Sequence, residues 1–304
     1  MTQENRTGIR YVASAFLLWG ILPLYWHYMN NVPALQILAN RIFWSFLFIA
    51  ILLTIKNQWF QVKQALQDWK VVFSILGCSI FISANWFIYI WAVNNGHVIE
   101  TSLGYYINPL ISIAFGTIFL QERLKRWQWI ALVLALIGVI IQTIEFGQVP
   151  WIALSLSFTF ALYGLSKKLL KVEAIISLAL ETMMVAPFAL GYLLYLEGSG
   201  TGSFSQIPLP SVVLLIFSGV ITAIPLLWFA QGAKRVPLST IGFLQYLAPT
   251  IALILGVFFF HESFTRSDWI SFGFIWIAIF IYTLSQINGI QKWFKKKKLV
   301  MNSQ

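Results

Sequence analysis

The sequence predicts an all-α integral membrane protein of ten transmembrane helices arranged as two inverted five-helix repeats, and three observations carry that expectation. The first is composition. Hydrophobic residues make up 59% and charged residues only 10%, with a mean hydropathy of +0.78, far from the balance of a soluble domain. The second is a pattern that returns at an offset of 140 residues: Tyr106, Pro109, Gly116, Phe119, Glu122, Trp129 and Ile130 recur in register as Tyr246, Pro249, Gly256, Phe259, Glu262, Trp269 and Ile270. In so apolar a chain this points to a duplicated membrane protein and not to a soluble repeat array. The third is the placement of the cations, which fall almost entirely on alternate connections.

Taken in chain order, apolar runs suited to spans of roughly 20 residues lie at 11–29, 34–55, 71–93, 98–120 and 127–144, then at 149–167, 174–196, 211–232, 238–260 and 269–288. The first lacks an A-x-A-like cleavage site and reads as a retained helix; Asn30 and Asn31 close it. After the second, Trp59, Val62, Leu66 and Trp69 stand at helical spacing, the mark of a short amphipathic interface helix or of an ordinary linker. The third and fourth are parted at 94–96, the fourth ends in the charged run 122–126, and the fifth ends at 146–148. A Gly/Ser-rich stretch at 198–205 separates the seventh from the eighth. Pro23, Pro187 and Pro225 interrupt spans and read as bends. The two repeat units are expected at 9–144 and 149–288.

Orientation follows from the cations. With the N-terminus in the cytoplasm, every Lys and Arg except Arg41 and Arg266 falls on an inward segment, including Lys167, Lys168 and Lys171 in one of them and Lys292 and 295–298 after the last span. Both termini are then cytoplasmic. An odd number of helices per unit forces the halves into opposite orientations about an axis in the membrane plane, so that a midplane site can face either side. The net charge of +10 reads as anchoring at the inner membrane surface and not as a nucleic-acid footprint. The single cysteine, Cys78, cannot form an intrachain disulfide.

Chemistry within the spans is sparse. There is no Walker-type glycine loop, no H-E-x-x-H and no close pair of intramembrane Asp residues, which argues against ATP-driven transport by this chain alone. His97 and Glu100 have i, i+3 spacing, but two residues do not make a metal site; no metal and no cofactor is expected. Pro109 and Pro249 each withdraw a backbone donor near the middle of a span, leaving the carbonyls of Tyr105 and Gln245 to face protein or a wet cavity. With the adjoining Tyr106 and Tyr246, these prolines mark either a substrate pathway along the fourth and ninth helices or a pair of packing kinks. Asn85, Trp86, Glu100, Tyr105 and Asn108 cluster on the third and fourth helices, and a polar group within the membrane is a functional candidate by default. Glu100 and Glu181 are candidates for proton exchange or for structural hydrogen bonding. Gly104, Gly116, Gly138, Gly242 and Gly256 suit close helix approach.

Arg41 is the one cation this reading leaves inside a span. It either snorkels to the external interface or faces a cavity, where it holds an anionic substrate group or a polar network. Glu181 occupies the symmetry-related position, yet the two levels differ by about 10 Å at about 1.5 Å per residue, too far for a direct salt bridge.

Asn85-Trp86, then 90–94 (Ile-Trp-Ala-Val-Asn), then the run from Glu100 through Gly104-Tyr105-Tyr106-Ile107-Asn108-Pro109 resemble the RarD family of the drug/metabolite transporter superfamily. The second half agrees through Glu181-Thr182, Thr222-Ala223-Ile224-Pro225-Leu226 and Gly242-Phe243-Leu244-Gln245-Tyr246, continuing to Pro249-Thr250. The resemblance extends from about Gly8 to Ile281. It implies a ten-helix carrier with two EamA-type repeats, associated in name with chloramphenicol sensitivity or resistance, and it supplies no physiological substrate. Where the family pattern has Glu, this chain has Gln36.

Together these readings describe a secondary transporter in the bacterial plasma membrane, an exporter of small metabolites or drug-like molecules by alternating access, whose partners are a small-molecule substrate and the bilayer. A non-transporting receptor or assembly factor is the alternative class. A membrane-embedded enzyme would need a convergent nucleophile or metal set, and the sequence displays none.

Overall fold

The computed structural model describes residues 3–29, 32–95, 97–259 and 266–286; the side chains at 90, 93, 94 and 98–100 lie outside that description. Every element among the described residues is a helix: α1 (Gln3–His27), α2 (Ala34–Ile55), α3 (Trp59–Gln67), α4 (Trp69–Asn94), α5 (Val98–Phe119), α6 (Arg126–Phe146), α7 (Trp151–Leu169), α8 (Ala174–Gly198), α9 (Ser203–Gln206), α10 (Leu209–Ala233), α11 (Leu238–Gln245), α12 (Leu247–Phe258) and α13 (Arg266–Gln286). Nine helical runs among the described residues are long and apolar enough to cross a membrane, with 238–258 taken as one. The remaining long helix, α7, carries Lys167 and Lys168 in its last turn.

The helix neighbours repeat with the sequence. Helix α1 packs on α10 and α12, α7 packs on α4 and α5, α2 packs on α10, and α8 packs on α4. Exchanging α1 with α7, α2 with α8, α4 with α10 and α5 with α11–α12 turns each of these contacts into another of them. The pairs α2 with α8, α5 with α11 and α6 with α13 map onto themselves, so they sit where the halves meet. Small residues allow the closest of these approaches. A Cβ at Gly242 on α11 would stand 2.7 Å from the Pro109 carbonyl oxygen of α5, and one at Gly219 on α10 would stand 2.3 Å from the backbone of Trp44 on α2.

Matched sequences do not give matched helices throughout. Helix α5 runs unbroken past Pro109, whereas its counterpart is interrupted at Tyr246, between α11 and α12. The break falls beside Gln245, whose carbonyl loses its helical donor to Pro249.

Loops are tied by side chains. The Glu122 carboxylate accepts from the backbone N–H groups of Leu238 (2.6 Å) and Ser239 (2.9 Å) and from the Ser239 hydroxyl (2.7 Å), so a carboxylate from the first half answers the exposed donors at the N-terminus of α11. Its repeat partner Glu262 lies outside the described residues. Gln36, where the resembled family has an acid, donates to the Thr201 carbonyl (3.1 Å) and accepts from the Ser203 hydroxyl, fixing the connection that contains α9. The segment after α2 is the amphipathic helix α3, with Val62 and Ala65 buried; Leu66 is exposed, and Trp69 opens α4.

A cavity between the halves and a buried ion pair beside it

A cavity of about 430 Å³ opens between helices of both halves. The first half contributes Trp26 of α1, Arg41 of α2, Asn85, Trp86 and Tyr89 of α4, and Tyr105 and Asn108 of α5; the second contributes Phe160 of α7, Thr222 of α10, Gln245 of α11 and Pro249 of α12. Arg41, Asn85, Trp86, Tyr105, Asn108 and Gln245, six of the expected site residues, therefore line one cavity.

Among the described residues Arg41 is held without a carboxylate. Its guanidinium carbon lies 4.7 Å from the ring centroid of Trp26 and 5.6 Å from that of Trp86, within cation–π reach, and its Nε donates to the Thr222 hydroxyl at 3.0 Å. It faces the cavity. Asn85 donates to the Leu156 carbonyl (2.8 Å) and to the Thr159 hydroxyl (2.9 Å), joining α4 to α7 at the cavity edge. Tyr89 and Tyr105 meet edge to face at 6.5 Å. Gln245 is buried, and its Oε1 has no hydrogen-bond partner among the described residues.

Other expected site residues sit elsewhere. Tyr246 is fully buried and packs with Ile113, Phe243 and Ile275, its hydroxyl donating to the Tyr106 carbonyl at 3.3 Å. Tyr106 turns to α13, edge to face with Phe272 at 5.1 Å. Neither lines the cavity, because on a helix Tyr106 points about 100° away from its neighbour Tyr105. They join the halves by packing. Pro109 is buried against α11 and Pro249 borders the cavity. The Glu100 side chain lies outside the described residues.

Glu181 is paired, and the partner is not one that cation counting anticipates. Its carboxylate accepts from the Lys167 ammonium, the Ser177 hydroxyl (2.6 Å) and the Tyr163 hydroxyl (3.3 Å), while Lys167 also donates to Ser177 at 2.7 Å. With Lys167 1% and Glu181 4% exposed, this is a buried ion pair between α7 and α8. Lys167, which the cation count places on an inward segment, is thus buried within the helix packing and matched to a carboxylate. Lys168 bonds the Val236 carbonyl at 2.5 Å and answers acceptors left at the end of α10.

An aromatic cluster separates pair from cavity. Phe16, Trp19 and Phe160 border the cavity and make ring contacts with one another and with Phe229, which stacks on Tyr163 at 6.0 Å. A second cavity of about 20 Å³, bordered by Glu181 and Ser83, lies behind Ile82, Trp86 and Leu226. Those three side chains also wall the large cavity.

Both halves, 6–144 and 149–284, match the EamA-like transporter family. The chain belongs to that family. Its relatives include the uncharacterized transporter YojE of Bacillus subtilis, 46% identical over 97% of this chain and 98% of the relative, and the protein RarD of Escherichia coli, 42% identical over 94% and 96%. A solved structure superposes with a TM-score of 0.74 over 93% of this chain and 99% of its own, at 20% identity, a likeness of fold alone. The EamA-like chain is thus a multi-pass membrane transporter of the drug/metabolite class, with a small-molecule substrate and a bilayer around it. Sequence reasoning missed Trp26, Tyr89 and Thr222 in the cavity wall; only the position of Thr222 within a family-like motif marked it.

Proposed function

We propose that this protein is a secondary carrier that exports small metabolites or drug-like molecules from a bacterial cytoplasm by alternating access, without a cofactor. The observation that carries the proposal is the cavity of about 430 Å³ walled by both halves, within the size range of small-molecule sites. In this reading the ten long helical segments all span the plasma membrane, as two inverted units at 9–144 and 149–288, and both termini are cytoplasmic. The exchange of helix neighbours between the halves supports the duplication, and an inverted pair can rock about a midplane site. By the positive-inside rule the end that carries Lys167, Lys168, Lys234 and Arg235 faces the cytoplasm, which makes the cluster of Phe16, Trp19, Phe160 and Phe229 the inner barrier. Transport then requires these rings to part while the opposite side closes.

Counterflow in proteoliposomes tests the carrier. A compound that raises the melting temperature of the purified protein should exchange with labelled compound across the vesicle membrane, and Trp86→Ala should suppress that exchange. A stabilising compound that never exchanges would favour a receptor instead. Reporter fusions after Lys125, Lys171 and Arg235 should read cytoplasmic and those after Gly147 and Gly202 external; a cytoplasmic signal at Gly202 would sink the inverted arrangement.

A further inference from the structure

We propose that the cavity is built for an organic monoanion, a carboxylate on an aromatic or flat apolar body, with the carboxylate on the Arg41 guanidinium. The inference deepens the carrier reading and rests on it for the claim that the ligand is cargo.

Arg41 carries five N–H donors, of which one is engaged by Thr222. The others have no oxygen acceptor among the described residues, and the indoles of Trp26 and Trp86 meet the charge without supplying one. The acidic side chains that the structure describes are committed elsewhere or remote: Glu181 to Lys167, Glu122 to the start of α11, Glu173 to Gln58, Glu197 to the Phe204 amide and Asp268 to Gln142. Among the described residues no carboxylate lines the cavity. An arginine within the membrane costs about 2.5–3.5 kcal/mol on insertion scales, and a lone cation facing a cavity is answered best by an anion from outside. A planar fork of unused N–H groups matches a carboxylate in two-point contact.

The rest of the wall sets the remaining chemistry. One cation balances one negative charge, so a phosphate dianion would keep half its charge unanswered. A cationic ligand would meet Arg41 with nothing to offset the repulsion. Trp19, Trp86, Tyr89, Tyr105 and Phe160 present rings on which a flat body can stack. The unpartnered Gln245 Oε1, on the second half, is a buried acceptor that a ligand N–H or O–H would satisfy. The cargo would thereby touch both halves, its head on α2 and its donor on α11.

Three probes with one phenyl body and different heads test this: phenylpropionate, phenylpropionamide and phenylpropylamine, with binding read from the tryptophan fluorescence of the purified full-length protein. The acid should bind at least about tenfold tighter than the amide, a difference of about 1.4 kcal/mol, and the amine should bind weakest. Arg41→Gln should erase the preference for the acid over the amide, and Arg41→Lys, which keeps the charge without the fork, should retain part of it. Equal binding of acid and amide, tighter binding of the amine, no binding of any probe, or a preference that survives Arg41→Gln would each overturn the proposal. Should the Gln variant not fold, the Lys variant decides: an acid preference equal to wild type overturns it. Counterflow of the same probes separates the two readings. Arg41-dependent binding of the acid without counterflow keeps the anion site and removes the carrier; counterflow of the amine in place of the acid does the reverse.

Discussion

Lys167 and Arg41 are both cations set deep among helices, and their surroundings differ in kind. Lys167 is closed in by the Glu181 carboxylate and the Ser177 hydroxyl, with the Tyr163 ring 5.4 Å from its nitrogen. Arg41 has one hydroxyl, two indole rings and a cavity. A buried charge whose counter-charge is supplied by the chain belongs to the fold, since removing either partner strands the other. A charge left without one is a cost to the fold, and its compensation has to come from what enters the cavity. Position within the membrane is therefore a poor guide to function until the partners are known.

The largest effect should come from splitting the paired cation. Lys167→Met alone or Glu181→Leu alone leaves an uncompensated buried charge, which destabilises by about 3–5 kcal/mol, and the melting temperature of the protein in detergent should fall steeply in each. The double variant replaces the pair by apolar groups of similar volume and should recover most of the loss. Transport by that double variant sharpens the contrast. If it folds and still exchanges substrate, the pair is structural; if it folds and is inert, Glu181 belongs to the transport cycle, as the sequence alone allows. Harmless single substitutions would break the comparison altogether.

A middle-sized effect should separate packed from cavity-facing tyrosines. Tyr246→Ala empties a fully buried site among Ile113, Phe243 and Ile275 and should cost about 3 kcal/mol, the low end for losing a large ring, because helices in lipid gain from packing and not from escape from water. Tyr105→Ala removes a half-exposed ring from the cavity wall and should weaken ligand binding with little change in melting temperature. The reverse outcome, a stable Tyr246→Ala that cannot bind ligand, would restore Tyr246 to the substrate pathway.

Most of the helices were legible because apolar length is what hydropathy measures: 34–55 is found as α2, and 127–144 lies within α6. The start of α1 was not, since residues 3–10 are helical but polar and a search for membrane spans sees only the apolar part. Polar residues in apolar runs stand out, which is why Arg41, Asn85, Asn108 and Gln245 could be chosen from sequence. Trp26 and Tyr89 could not, in a chain with 17% aromatic residues. Internal repetition identified Tyr106 and Tyr246 as a matched pair but carries no information on which face of a helix they occupy. Nor does a count of cations distinguish Lys167, in the last turn of its helix and matched to Glu181, from the exposed Lys171.

The smallest effect probes how the unpaired cation is aimed. The Thr222 hydroxyl is the one hydrogen-bond acceptor Arg41 has among the described residues, at 3.0 Å. Thr222 itself is buried, on the face of α10 that meets the cavity. Thr222→Val keeps the shape and deletes the acceptor, so the helices should pack as before and the melting temperature should hold. The guanidinium keeps its charge and its indoles but loses the contact that fixes its fork, a bond worth about 0.5–1.5 kcal/mol net. Binding of phenylpropionate should then weaken by roughly 2–10-fold, and Thr222→Ser, which restores an oxygen, should recover it. Since the amide probe does not depend on the charge, its affinity should stay put. An equal loss for acid and amide would mean that Thr222 touches the ligand itself and that Arg41 is aimed by its two indoles alone.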